Sequence, residues 1–259
     1  MQETGEETGA ETGEGTQTGA TGSAAAGIRI DHSAADVSEG AAAFDRLRDE
    51  ILLATLPNVM FDGWSTTSLR DGARMAGHSA DDALRAFPGG IPDLIEHFSS
   101  WADRRMLEML EEQDLDSLKV RQRVALGVRT RFELLEPYRE AVSRLVAYVA
   151  MPQNTALGLR LLYRTVDAIW YAAGDTATDF NHYTKRALLS GVYTTTTLYW
   201  LNDRSEGFRD TWEFLDRRIN DVMRLGRATG SVGTVGSLFR ILPSPFRFAR
   251  QVRRRARDL

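Results

Sequence analysis

The sequence predicts an all-α fold on three observations. Apolar residues recur at three- and four-residue steps through almost every segment from Phe44 to Val222. No stretch alternates apolar and polar residues for long enough to make a strand. No glycine-rich loop links a strand to a helix to cradle a nucleotide phosphate. At 259 residues and 42% hydrophobic content, the chain can bury one sizeable core.

Residues 1–43 are built from Glu-Thr-Gly-like units and carry eight acidic groups against the single Arg29. With so few large apolar residues, this stretch reads as a disordered acidic tail. Order is expected from Phe44. Phe44, Leu47, Ile51, Ala54 and Val59 share one helical face, and Asp62-Gly63 gives a stop. Ser65 to Thr67 supply N-caps for a short second helix through Leu69, Ala73 and Ala76, closed by Gly77. Residues 79–87 read as a third helix, stopped by Pro88-Gly89-Gly90, so 44–90 forms a helix-turn-helix unit. The order of apolar helix, Gly-Trp turn, Thr-Ser-Leu start and Ala-Gly hinge resembles the N-terminal domain of the tetracycline-repressor-like regulators. Its chemistry argues against DNA. The helix in the recognition position presents Asp81 and Asp82 and only one base, Arg85, whereas phosphate affinity needs positive charge.

The range 91–226 reads as a helical domain. Pro92 suits the first turn of a fourth helix with Leu94, Phe98, Trp101 or Ala102, Met106 and Met109 as its stripe. Helices over 118–135 and 138–150 stop at Glu136-Pro137 and Met151-Pro152. Leu159, Leu162, Val166, Ile169 and Ala173 line a seventh, with Gly174 as C-cap. An eighth, capped by Thr178 or Asp179, stacks Leu189, Tyr193, Thr196 or Thr197 and Trp200. A ninth carries Phe208, Trp212, Leu215, Ile219 and Val222. Such a bundle can enclose an apolar cavity between helices, but periodicity alone favours a tightly filled core.

Residues 227–236 form a Gly, Ser and Thr linker to a basic segment, 237–259. Seven arginines oppose the single Asp258 there, and Leu238, Phe239, Leu242, Phe246 and Phe248 supply apolar bulk beside Arg250, Arg253 and Arg254. This pattern suits the interface of an anionic bilayer, although Pro243 and Pro245 forbid one uninterrupted helix. A helix docked on its own domain and a nucleic-acid arm are the competing readings. No run of eighteen apolar residues exists to span a bilayer. The N-terminus lacks both secretory and mitochondrial presequence character, so a cytoplasmic protein is expected, peripheral on the inner face of a bacterial inner membrane.

The densest polar and aromatic stretch is Trp170 to Arg186. On a helix capped at Asp179, the side chains of Asp179, His182, Tyr183 and Arg186 share one side, expected to face outward. They include no nucleophile. Asp167, Asp175, Asp179 and His182 lack the Glu-x-x-His spacing of di-iron bundles, and with no cysteine and four histidines in the chain no metal or redox cofactor is expected. The stretch reads as a partner-binding surface, since Trp, Tyr and Arg anchor interfaces, and the protein reads as a non-enzyme.

The motifs LPNV-x7-TSL, EPYREA, MPQN, W-x-x-AGD-x-x-TDFN-x-YTKR and TWEFLDRRINDVM resemble a ubiquinone-biosynthesis accessory family, the ninth Coq protein of mitochondria and its alphaproteobacterial relatives. The resemblance covers roughly Phe44 to Arg227. It implies a tetracycline-repressor-like fold without DNA binding, an apolar pocket for isoprenoid quinone lipids and a membrane-binding C-terminal helix. It also implies a docking patch for the di-iron hydroxylase that acts on demethoxyubiquinone. Residue by residue, the patch maps to Asp179, Asn181, Tyr183 and Arg186, with Trp170 and His182 in the same segment. His182 stands where the mitochondrial members have Trp, and Ala172 where they have Tyr. The expectation is therefore a lipid-binding accessory protein, a homodimer by superfamily habit, with a bound isoprenoid or phospholipid ligand. The alternative is a ligand-responsive transcription regulator of the same fold.

Overall fold

A computed structural model describes residues 34–175 and 180–229, excluding the side chains of 34–38, 180, 181, 223 and 225–229. The described residues contain nine α-helices and no strand: α1 (Ala34–Asp62), α2 (Thr66–Met75), α3 (Ala80–Ala86), α4 (Ile91–Glu111), α5 (Val120–Leu135), α6 (Arg139–Val149), α7 (Thr155–Ala172), α8 (Phe180–Trp200) and α9 (Arg209–Thr229). The chain divides into two units, Met1–Gly40 and Ala41–Leu259, and everything below concerns the second. The first helix starts upstream of the expected Phe44, because alanine-rich sequence holds a helix without apolar anchors. At the other end α9 runs to Thr229, past the expected start of the linker at 227.

Ile51, Leu52, Leu56 and Val59 are buried on α1, and α2 comes unusually close to that helix. A Cβ at Gly72 would stand 2.1 Å from Thr55 Oγ1 and 2.6 Å from Thr55 Cα, so only glycine permits the approach. Ser65 caps α2, accepting the Ser68 N–H. At its far end, Gly77 adopts φ +82 while the His78 N–H reaches Ala73 O and the Gly77 N–H reaches Arg74 O. These are the paired bonds of a Schellman turn. In α3, Asp82 closes a capping box with Ser79 and pairs with Arg85. Hydrogen bonds from Ser79, with Arg85 adding to them, lower the Asp82 pKa to about 2. The one base of this helix is thus already neutralised by its own carboxylate.

Trp64 ties the helix-turn-helix unit to the bundle, its Nε1 donating to Ala141 O at 3.1 Å and its ring packing 5.3 Å from Phe98. On α4, Leu94, Phe98, Trp101, Ala102, Met106 and Leu110 are buried. Met109, expected in the stripe, is exposed. Among α4, α5, α7 and α8 lies a buried ionic cluster. Arg131 donates to Asp103 Oδ1 at 2.5 Å, to Tyr193 Oη at 2.9 Å and to Ser99 Oγ at 3.3 Å, while Thr165 donates to Asp103 Oδ2 at 3.3 Å. Burial pushes the Asp103 carboxyl up and Arg131 opposes it. On α7, Leu157, Leu161, Val166 and Ile169 turn inward, and Leu159, expected on the core face, is 62% exposed. The stretch holds Leu157, Leu159, Leu161 and Leu162, which occupy more than one face and leave its register ambiguous from sequence. Between α8 and α9 the Asp203 carboxylate accepts from the N–H groups of Ser205 and Thr211 and from the Thr211 hydroxyl.

Candidate functional site

The stretch from Trp170 to Arg186 is anchored by the end of α7. Gly174, at φ +82, sends its N–H to Tyr171 O, and the Asp175 N–H reaches Trp170 O. A second Schellman turn therefore fixes Asp175 beside α8. The Asp175 side chain is 5% exposed and accepts Lys185 Nζ at 2.7 Å and Arg186 Nη1 at 3.3 Å. Arg186 Nε donates to Asp167 Oδ1 at 2.6 Å, and Nη1 also reaches His182 O at 3.3 Å. Two carboxylates from α7 and its cap thereby clamp two cations of α8, and the four charges sum to zero.

This clamp corrects one expectation. Arg186 does not face outward; its side chain is only 6% exposed. Three positions along an α-helix leave Arg186 about 60° round from Tyr183, and its long side chain reaches the carboxylates at the end of α7. Tyr183 itself is 66% exposed, and its ring stands edge-on to His182 with centroids 5.2 Å apart. Trp170 is half-buried under the Lys185 ammonium, 5.4 Å from the ring centroid, and its Nε1 has no hydrogen-bond partner among the described residues. Tyr171, which the sequence reading passed over, is 75% exposed. The site thus presents tyrosines and a histidine on a base locked by ion pairs, with Trp170 half-sunk into it.

Asp179 lies outside the described residues. Asn181 falls within α8, but its side chain is likewise outside them. The membrane-segment residues Leu238, Phe239, Leu242, Phe246, Phe248, Arg250, Arg253 and Arg254 are outside them as well. Asp167 and Asp175, weighed from sequence as metal ligands, do come together, but around Arg186. Among the described residues no cluster of three His, Asp or Glu side chains could hold a metal ion, and no helix is long and apolar enough to cross a membrane. Sequence reading missed the clamp, although two aspartates flanking the adjacent cations Lys185-Arg186 were a visible signal of charge balance.

Comparison with known proteins bears on this same region. A sequence model of the COQ9 family matches residues 155–226, from the start of α7 into α9. The chain is 37% identical over 199 residues to "Ubiquinone biosynthesis protein COQ9, mitochondrial" of Rattus norvegicus, covering 74% of this chain and 64% of the relative. The protein of that name from Homo sapiens is 36% identical over 199 residues, with 62% of it covered. The Xenopus tropicalis protein is 34% identical over 215 residues, with 80% of this chain and 68% of the relative covered. The chain thus spans slightly less than two thirds of the length of the rat and human relatives. A solved TetR transcriptional regulator from Nitrosomonas europaea superposes with a TM-score of 0.56 at 20% identity, over 69% of this chain and 99% of that one. The all-α architecture is therefore TetR-like.

Proposed function

The chain belongs to the COQ9 family, and from that premise we propose that it serves ubiquinone biosynthesis as an accessory, lipid-binding protein rather than as an enzyme. In this reading it holds isoprenoid quinone precursors and presents them to the di-iron hydroxylase that acts on demethoxyubiquinone. It works as a homodimer on the inner face of a bacterial inner membrane, seated there by residues 237–259. The physical need is plain: a polyprenyl tail buries the precursor in hydrocarbon, whereas the partner's active site needs the ring brought to it.

The observation that supports the proposal is an exposed aromatic face on α7 and α8. Tyr171 and Tyr183 are large, amphipathic and exposed, and they sit on a base held rigid by Asp167, Asp175, Lys185 and Arg186. Rigid aromatic side chains bind with little entropy loss, which suits a partner surface. The regulator reading is disfavoured by α3, whose Arg85 is committed to Asp82 beside the second carboxylate Asp81.

The test is a binding titration of the full chain against the purified hydroxylase. Tyr183→Ala and Tyr171→Ala are expected to weaken binding at least about tenfold each, as truncated interface anchors do, with folding unchanged. Unaltered affinity in both variants would remove this face from the interface.

A further inference from the structure

Buried and half-buried hydroxyls along α8 mostly bond back to their own helix. Ser190 donates to Arg186 O, Thr195 to Gly191 O and Thr197 to Tyr193 O, each at 2.8 Å. This is the usual local solution for a hydroxyl within a helix. Thr196 departs from it. It is fully buried, and its Oγ1 has no hydrogen-bond partner among the described residues. One turn on, Trp200 is equally buried and its Nε1 is likewise without a partner there. Residues four apart share a helix face with Cβ atoms about 5–6 Å apart, so the two side chains that carry the orphaned groups are neighbours on the inner face of α8.

A buried donor left unpaired is more destabilising than an ordinary hydrogen bond is stabilising. Two such groups on one face point to a third party that satisfies both. The surroundings limit what that party is. Phe132 stacks on Trp200 at 5.2 Å and on Tyr193 at 5.3 Å, and Phe208 lies 6.1 Å from the Trp200 ring. The nearby cation, Arg139, lies 5.5 Å from the Trp200 ring centroid and gives hydrogen bonds to the carbonyls of Trp200 and Asp203. Aromatic walls of this kind would solvate a carboxylate or phosphate poorly. A neutral oxygen matches this chemistry: it would accept the indole N–H through one lone pair and exchange a second hydrogen bond with the Thr196 hydroxyl.

We propose that Thr196 and Trp200 form a buried two-point site for one neutral oxygen, that of a water molecule or of a carbonyl or hydroxyl group on a bound organic molecule. The site stands on the α8 geometry and is independent of the lipid-presenting role.

Thr196→Val keeps the side-chain shape and deletes its hydroxyl, and Trp200→Phe deletes the indole N–H. Urea unfolding of the full chain, both single variants and the double variant would be measured alongside the ¹H–¹⁵N indole resonance of Trp200, assigned by its loss in Trp200→Phe. Thr196→Val is expected to lower the folding equilibrium constant about tenfold and to move the indole resonance. The effect of Trp200→Phe should shrink once Thr196 is already Val, because one bridge is lost only once. A Thr196→Val protein as stable as the parent or more so, with the indole resonance unmoved, would overturn the site. Titrating a decyl-substituted benzoquinone into the parent chain separates the sources: a saturable shift of the resonance assigns the oxygen to the organic molecule, and an unmoved resonance assigns it to water.

Discussion

Tyr183 and Arg186 lie three positions apart on α8, yet they do opposite work. Tyr183 stands in solvent, while Arg186 is sunk between Asp167 and Asp175. Removing Arg186 deletes charged hydrogen bonds to the buried Asp175, which keeps Lys185, and to the half-exposed Asp167, a loss of about 2 kcal/mol. Arg186→Met is therefore expected to lower the unfolding free energy by about that much, whereas Tyr183→Ala should stay within about 0.5 kcal/mol of the parent. Urea unfolding of the two variants checks this, and an undisturbed Arg186→Met protein would contradict the clamp. The sequence singled out the stretch from Trp170 to Arg186, but the direction of Arg186 was not legible in it. Its facing depends on where α7 ends and which carboxylates that end delivers, a tertiary fact that spacing along α8 does not contain. Arg131 was legible in principle, since it sits in the Val124, Val128, Arg131, Leu135 stripe of α5, where a charge signals a buried partner.

The titration of Asp82 is also a residue-scale matter. Its pKa falls from 3.8 to about 2 on folding, so the folded state binds fewer protons than the unfolded one in that window. The stabilisation is fully present above pH 4 and disappears as the pH falls through 2. Thermal unfolding between pH 5 and pH 2 should show a component of acid sensitivity that Asp82→Asn removes.

Among the elements, the junction of α1 and α2 is the least tolerant. Gly72→Ala would drive a methyl group into the Thr55 backbone, which cannot rotate away, and should destabilise by about 3 kcal/mol, the upper range for overpacking. A small effect in urea would mean the two helices can part. Many of the helices were readable because their apolar stripes are bounded by a glycine or proline: Gly63, Gly77, Gly90 and Gly174 all take positive φ, at 67, 82, 67 and 82. Where stripes failed, the cause was local. The clustered leucines of α7 satisfy two registers, and α1 starts on alanines that carry no stripe at all.

At the scale of the whole molecule, a TetR-like fold combines a helix-turn-helix unit with an α3 that carries a neutralised base and acidic residues. The all-α class followed from helical periodicity and from the want of any strand-like alternation. The family followed from motifs, because the 3.6-residue repeat is common to helical bundles of every function. The proposed membrane role rests on residues 237–259, where arginines and aromatic residues meet. Removing the residues after Gly236 should abolish sedimentation of the protein with anionic vesicles, and unchanged sedimentation would refute that role.

The proposed lipid-binding role requires the protein to carry an isoprenoid lipid. Lipid extracted from the purified full chain and analysed by mass spectrometry tests it most directly. A quinone or other isoprenoid lipid is expected to stay bound through purification in near-stoichiometric amount; protein that is folded and free of any isoprenoid lipid across expression hosts would rule the role out.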